Sequence, residues 1–120
     1  MTRPITNYDN ISDTLYMSFI PNVKATGIEL NEHILLRIDR ENRKAVGITF
    51  LNYSILIQKA DFGPRSFPLN GLAKLSEETR EIVMEILESD TVKAILSLST
   101  YTPSFAEAIP ITLLHLPQPA

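Results

Sequence analysis

The sequence predicts an α+β fold, an antiparallel β-meander followed by one main helix and a C-terminal strand pair. Apolar residues recur with period two in the first half, at Ile34, Leu36 and Ile38 and again at Val46, Ile48 and Phe50. They recur with helical spacing at Ile82, Val83, Ile86 and Leu87. The period then returns to two, toward Tyr101 and again from Ile109.

Each element follows from local chemistry. Tyr16, Ser18 and Ile20 alternate with Leu15, Met17 and Phe19, so both faces of the first strand are apolar and a central place in a sheet is expected. Pro21-Asn22 ends that strand, and a second runs from Lys24 to Leu30 up to the polar break Asn31-Glu32. The strand through Ile34, Leu36 and Ile38 sets Leu35, Arg37 and Asp39 on its other face. Asp39-Arg40-Glu41-Asn42-Arg43-Lys44 then forms a charged hairpin turn, in which Asn42 is expected to be left-handed because its short amide tolerates positive φ.

Residues 58–75 are expected to form a connecting loop, punctuated by Gly63-Pro64, Phe67-Pro68 and Asn70-Gly71 and pinned to the core by Phe62, Phe67 and Leu69. A helix from Ser76 to Ser89 follows. Ser76 is its N-cap, Glu77 and Glu78 offset the helix dipole, and Glu81, Glu85 and Glu88 face away from the apolar stripe. Beyond Asp90 two readings stand. Val92, Ala94, Leu96 and Leu98 alternate as in a strand, while Ile95 and Leu98 also continue the helical spacing. A last strand starts at Ile109, Ile111 and Leu113. It is expected at a sheet edge, because Pro110 has no N–H for the ladder. One domain spans 1–120, with the helix and strand pair over 76–116 and a disordered tail over 117–120.

Composition narrows the function classes. Eleven basic against fourteen acidic side chains give a net charge of -3, which argues against a nucleic-acid binder. The absence of cysteine excludes disulfides, thiolate metal sites and cysteine nucleophiles. No apolar run approaches the ~20 residues that span a bilayer. Met1-Thr2-Arg3-Pro4 opens no signal peptide, so a cytoplasmic protein is expected.

The candidates for chemistry are few. His33 and His115 have no metal-ligand neighbour at useful spacing. Asp9 and Asp13 flank the turn before the first strong strand. With Tyr16 they are the candidate catalytic residues, since paired carboxylates can hold a hard cation or do acid–base work. The competing reading is that these aspartates hydrogen-bond their own backbone and shape the turn. No nucleophile elbow, P-loop or dinucleotide-binding glycine pattern is present among four glycines, and neither a cofactor nor a metal is expected.

The run Tyr8-Asp9-Asn10-Ile11-Ser12-Asp13-Thr14-Leu15-Tyr16-Met17, followed by Ile34 to Asp39 and by Val46-Gly47-Ile48-Thr49-Phe50, resembles a bacterial family called domain of unknown function 2283. The resemblance covers residues 8–57. The family's pattern opens with the same Asp-x-Leu-Tyr strand, and a later Asp-rich turn precedes Val-Gly-Ile-Glu. This chain departs from it with Thr49 in place of that Glu, and with Glu41-Asn42 in place of an Asp-Gly turn. The family implies no activity. Some members resemble small partners encoded beside toxin-like proteins, an analogy of context alone.

These observations lean away from an enzyme and toward a non-enzymatic protein-interaction or regulatory, antitoxin-like module. The alternative is a small enzyme or ligand-binding protein using the carboxylates near the first strand. A homodimer is expected, because the meander is apolar on both faces and the stretch from Ala108 to Ala120 carries no Lys, Arg, Asp or Glu to block pairing. A monomer covered by the loop of residues 61–75 is the other possibility.

Overall fold

The structure, a computed structural model, describes residues 4–57, 66–104 and 107–114. Phe62, His115 and the expected tail over 117–120 lie outside the described residues. Strands β1 (Ile5–Asp9), β2 (Thr14–Ser18), β3 (Thr26–Glu29), β4 (Ile34–Asp39) and β5 (Lys44–Leu51) form an antiparallel sheet in the order β1-β2-β5-β4-β3. A short helix α1 (Tyr53–Leu56) follows β5. Then come β6 (Ser66–Pro68), a 3-10 turn over Asn70–Lys74, α2 (Glu77–Leu87) and α3 (Asp90–Lys93). Finally β7 (Leu96–Ser104) and β8 (Glu107–Leu114) join β6 in a second sheet, ordered β6-β8-β7.

The three hairpins of the first sheet are set by one device. The Oδ1 atom of Asp9 accepts from the backbone N–H of Ile11 and Ser12 (3.0 and 3.4 Å). Asp39 does the same for Glu41 and Asn42 (3.1 and 3.3 Å), and Asn31 for His33 and Ile34 (2.8 and 2.9 Å). In each case a side-chain oxygen replaces a ladder carbonyl two and three residues on, the Asx turn that Asp and Asn favour. The loops after β1 and β4 both end on a left-handed residue, Asp13 (φ 54°) and Arg43 (φ 52°). Arg43 rather than Asn42 takes that conformation. Asp39 holds both the Asn42 N–H and its amide (Nδ2 to Oδ2, 2.8 Å), so the reversal of hand falls one residue later.

With the turns fixed, the register places apolar side chains in rows. Met17, Ile48, Leu36 and Ile28 pair across β2, β5, β4 and β3, and Leu15, Phe50 and Ile34 make the next row; all are buried. A one-residue slip would turn both rows to solvent. β5 lies between β2 and β4, so the β3-β4-β5 meander is closed by β2 in a Greek-key order. The join is a bulge at Val46, whose carbonyl accepts from both Phe19 and Ile20 (2.8 and 3.3 Å).

The second layer lies on these rows. Ser76 caps α2, its hydroxyl accepting from the Thr79 N–H (3.2 Å), and Glu77 and Glu78 occupy the first turn. Ile82, Val83, Ile86 and Leu87 are buried, with Leu69, Leu72, Val92 and Leu96 in the same core. Arg80 gathers the last carbonyls of the 3-10 turn, donating to Leu72 and Leu75 (both 3.0 Å). That turn abuts the edge of β3 through the Gly71 N–H to the Leu30 carbonyl (2.8 Å), and a Cβ at Gly71 would fall on the Glu29 carbonyl oxygen. Asn31 adds a bond from Nδ2 to the Pro68 carbonyl (3.0 Å).

Further local expectations change. The described part of the expected 58–75 loop holds β6 and the 3-10 turn. β1 lacks apolar alternation and is exposed throughout, which is why period two does not reveal it. Residues 90–93 form a helical turn and the strand begins only at Leu96, so the stretch after Asp90 holds both periodicities in succession. β8 is the middle strand of its sheet, not an edge. β6 pairs with it only over Ile111 to Leu113 and stops short of Pro110, which therefore owes no ladder bond on that side.

Ile86 is 1% exposed in the centre of the helix–sheet core. Urea denaturation of Ile86→Ala is expected to show a loss of about 2–5 kcal/mol at unchanged m-value.

Candidate functional site

The β1–β2 hairpin holds the candidate carboxylates, and the fold gives each one specific partners. Asp9 ends β1 and binds its own turn, and those backbone bonds, Ile11 first, hold its carboxyl below the ordinary carboxylate range. Asp13 closes the loop. Its Oδ2 accepts from the Ser54 hydroxyl (2.6 Å), and its Oδ1 accepts from the Ser54 N–H (3.0 Å) and the Tyr8 hydroxyl (2.8 Å). The Ser54 hydroxyl, then that of Tyr8, lowers the Asp13 carboxyl, and the same bond raises Tyr8. The Asp13 carbonyl also accepts from Tyr53 (2.9 Å), so one residue caps the first turn of α1 from across the sheet. The Tyr8 ring meets that of Tyr53 with centroids 5.5 Å apart, closing the end of the core.

Tyr16 stands apart from this cluster. Among the described residues no hydrogen bond joins Asp9, Asp13 and Tyr16 to one another, and no group of three or more His, Asp or Glu is placed to hold a metal ion. His33 lines a cleft of about 210 Å³ with Asn31, Ile55, Phe67 and Pro68, its Nε2 3.4 Å from Glu32. A second cleft of about 340 Å³ lies between Phe19, Ile20, Arg43, Lys44 and Thr91, where Arg43 is paired with Glu85 (2.9 Å). Neither cleft converges a nucleophile and a base.

Tyr16 belongs instead to the outer face of the sheet, opposite the core. Cross-strand pairing sets Asn7, Tyr16, Thr49, Leu35 and Glu29 in one row of that face, and Ile5, Ser18, Gly47, Arg37 and Gly27 in the next. The first row is a ridge and the second a trough. The Arg37 guanidinium crosses the trough over Gly47, where a Cβ would fall on it, and donates to the Met17 carbonyl (3.2 Å). Ile5, Tyr16 and Leu51 remain 66, 43 and 43% exposed. The glycines are the sequence signal for this trough, since Gly inside a strand marks close approach of another group.

With this geometry described, the chain can be set beside known proteins. Residues 6–54 match the family model of a protein of unknown function, DUF2283. No curated protein and no solved structure gives a significant match. The DUF2283 portion runs from β1 into α1, so it comprises the first sheet with the Asp13–Ser54 tie and stops before the second layer. The family pattern's Asp-x-Leu-Tyr strand is β2, and Thr49, where this chain departs from that pattern, lies 8% exposed in the outer row between Tyr16 and Leu35.

The lowered carboxyls of Asp9, Asp13 and Asp39 fix the sign of an acid dependence. Their contribution is complete above the unfolded value of 3.8 and is lost as pH falls through the lower folded values. Stability is therefore expected to decline on acidification below about pH 4, and Asp13→Asn should flatten that decline when urea midpoints are followed against pH. Calorimetric titration of the wild type with calcium, magnesium and manganese is expected to show no saturable site at submillimolar concentration. A site abolished by Asp13→Asn would favour the carboxylate enzyme.

Proposed function

We infer that this chain is a non-enzymatic protein-interaction module, of regulatory kind, whose working surface is the outer face of the five-stranded sheet. One observation carries the reading. The face opposite the core displays Ile5, Tyr16 and Leu51 to solvent around a partly covered arginine, while the nearby carboxylates are engaged in turns and a helix cap. Antiparallel sheets commonly leave one face wet, but that face is then polar by alternation. Here an aromatic and two aliphatic side chains interrupt it, and Tyr and Arg are the residue types on which interfaces most often rest. The fold suits such a role, since a sheet backed by a helix presents its outer face at little ordering cost. An antitoxin-like pairing is one form this role would take.

A photoreactive amino acid placed at position 16 in cells expressing the protein tests the reading. Discrete adducts are expected from position 16 and not from position 42, at the tip of the β4–β5 turn. Absence of any discrete adduct from the outer face would overturn it.

A further inference from the structure

We propose that the outer sheet face receives a second copy of this chain, packed about a two-fold axis with Arg37 of each copy against Glu29 of the other. The proposal rests on reading that face as a docking surface and names its occupant. Glu29 and Arg37 are placed for it by register. Glu29 pairs with Leu35 and Gly27 with Arg37, so the two charged residues stand on one face, diagonal across β3 and β4. They do not pair within the chain. Glu29 is exposed and makes no side-chain hydrogen bond or ion pair among the described residues. Arg37 leans the other way, over Gly47, and makes one bond to the Met17 carbonyl.

Arg37 has unused capacity. A guanidinium offers five donors, and among the described residues only Nη2 is seen to donate, to the Met17 carbonyl; the Nε is closed off from solvent, so a further acceptor must come to the terminal nitrogens. An acceptor that adds to its bonding must come from above the sheet. A carboxylate is the acceptor that guanidinium geometry fits best.

The surface is self-complementary in charge. A two-fold axis requires that whatever a patch offers, it also accepts. Here one cation and one anion on the same face satisfy that requirement between two copies. Tyr16, 43% exposed, stands in the row beside the Arg37 guanidinium that overlies Gly47, so an aromatic ring and a cation lie side by side where the second copy would pack. Five strands ~4.8 Å apart, each with about six residues rising ~3.3 Å, give a face of roughly 24 by 20 Å. That is roughly 500 Å² per copy, at the low end for a specific interface. The dimer should therefore dissociate at micromolar concentration rather than be obligate.

Sedimentation equilibrium of the full chain over a micromolar series provides the test. The wild type is expected to rise from 13.5 kDa toward twice that mass. Glu29→Arg and Arg37→Glu should each weaken self-association by about tenfold or more, because like charges then face each other. Mixed in equal amounts they should recover a dimer, since each supplies the charge the other has lost. A loss of structure in one variant could not produce this recovery. Glu29→Arg, which breaks no bond within the chain, keeps the test decisive if Arg37→Glu unfolds. A wild type that stays at the mass of one chain throughout, or a Glu29→Arg variant that associates like the wild type, would overturn the proposal. If position 16 nonetheless cross-links to a different protein, the docking surface stands and the self-partner falls. If it cross-links to nothing, both fall.

Discussion

Side-chain acceptors at Asp9, Asn31 and Asp39 hold three tight turns, and the rest of the first sheet depends on them. Each oxygen collects two backbone N–H groups that a tight loop would otherwise leave unpaired. Because side chains alternate, the position of a turn decides which residues of the next strand face inward. Fixing the turns therefore separates Met17, Ile48, Leu36 and Ile28 on one side from Tyr16, Thr49 and Leu35 on the other. The same constraint that builds the core builds the outer platform. Asn31 does most, since its second side-chain group also reaches Pro68 and ties the first sheet to the second.

This arrangement gives the acidic residues a concrete occupation. Asp9 and Asp39 are turn anchors, and Asp13 binds a distant helix turn through both carboxylate oxygens. Their carboxyls are lowered by bonds to hydroxyl, amide and backbone N–H groups, the signature of an anion satisfied by fixed donors. Acid–base work near neutral pH favours a carboxyl raised toward that range, and these are shifted the other way. On the outer face two charged groups are less engaged, Arg37 with its bond to the Met17 carbonyl and the exposed Glu29.

Much of the fold was legible because it rests on periodicity. Alternation at Ile34 to Ile38 and at Val46 to Phe50 marked two strands, and the Ser76 cap with its apolar stripe marked the main helix. β1 escaped because it buries no side chain, leaving no alternation to detect. The hinge near Asp90 was ambiguous because a single helical turn is too short to show a period. The candidate surface was legible only in part. In the sequence Tyr16 is a candidate only as a catalytic partner of Asp9 and Asp13, and its neighbours on the outer face are set by pairings distant in sequence. Gly47 lies beside Arg37 only once β4 and β5 are in register, and no local pattern carries that information. Asn31 looked like an ordinary break between strands, since a turn residue does not announce which distant carbonyl its amide will find.

The claim that Asx acceptors set the sheet is tested most directly at Asn31, which is 7% exposed and serves three bonds at once. Removing its side chain takes a partner from the N–H groups of His33 and Ile34 and from the Pro68 carbonyl; the Ile34 N–H is buried, and an unmet buried polar group costs about 1–3 kcal/mol. Urea unfolding of Asn31→Ala is therefore predicted to show a loss of about 2–4 kcal/mol relative to the wild type. A loss below about half a kcal/mol, the range of a neutral surface change, would contradict the account.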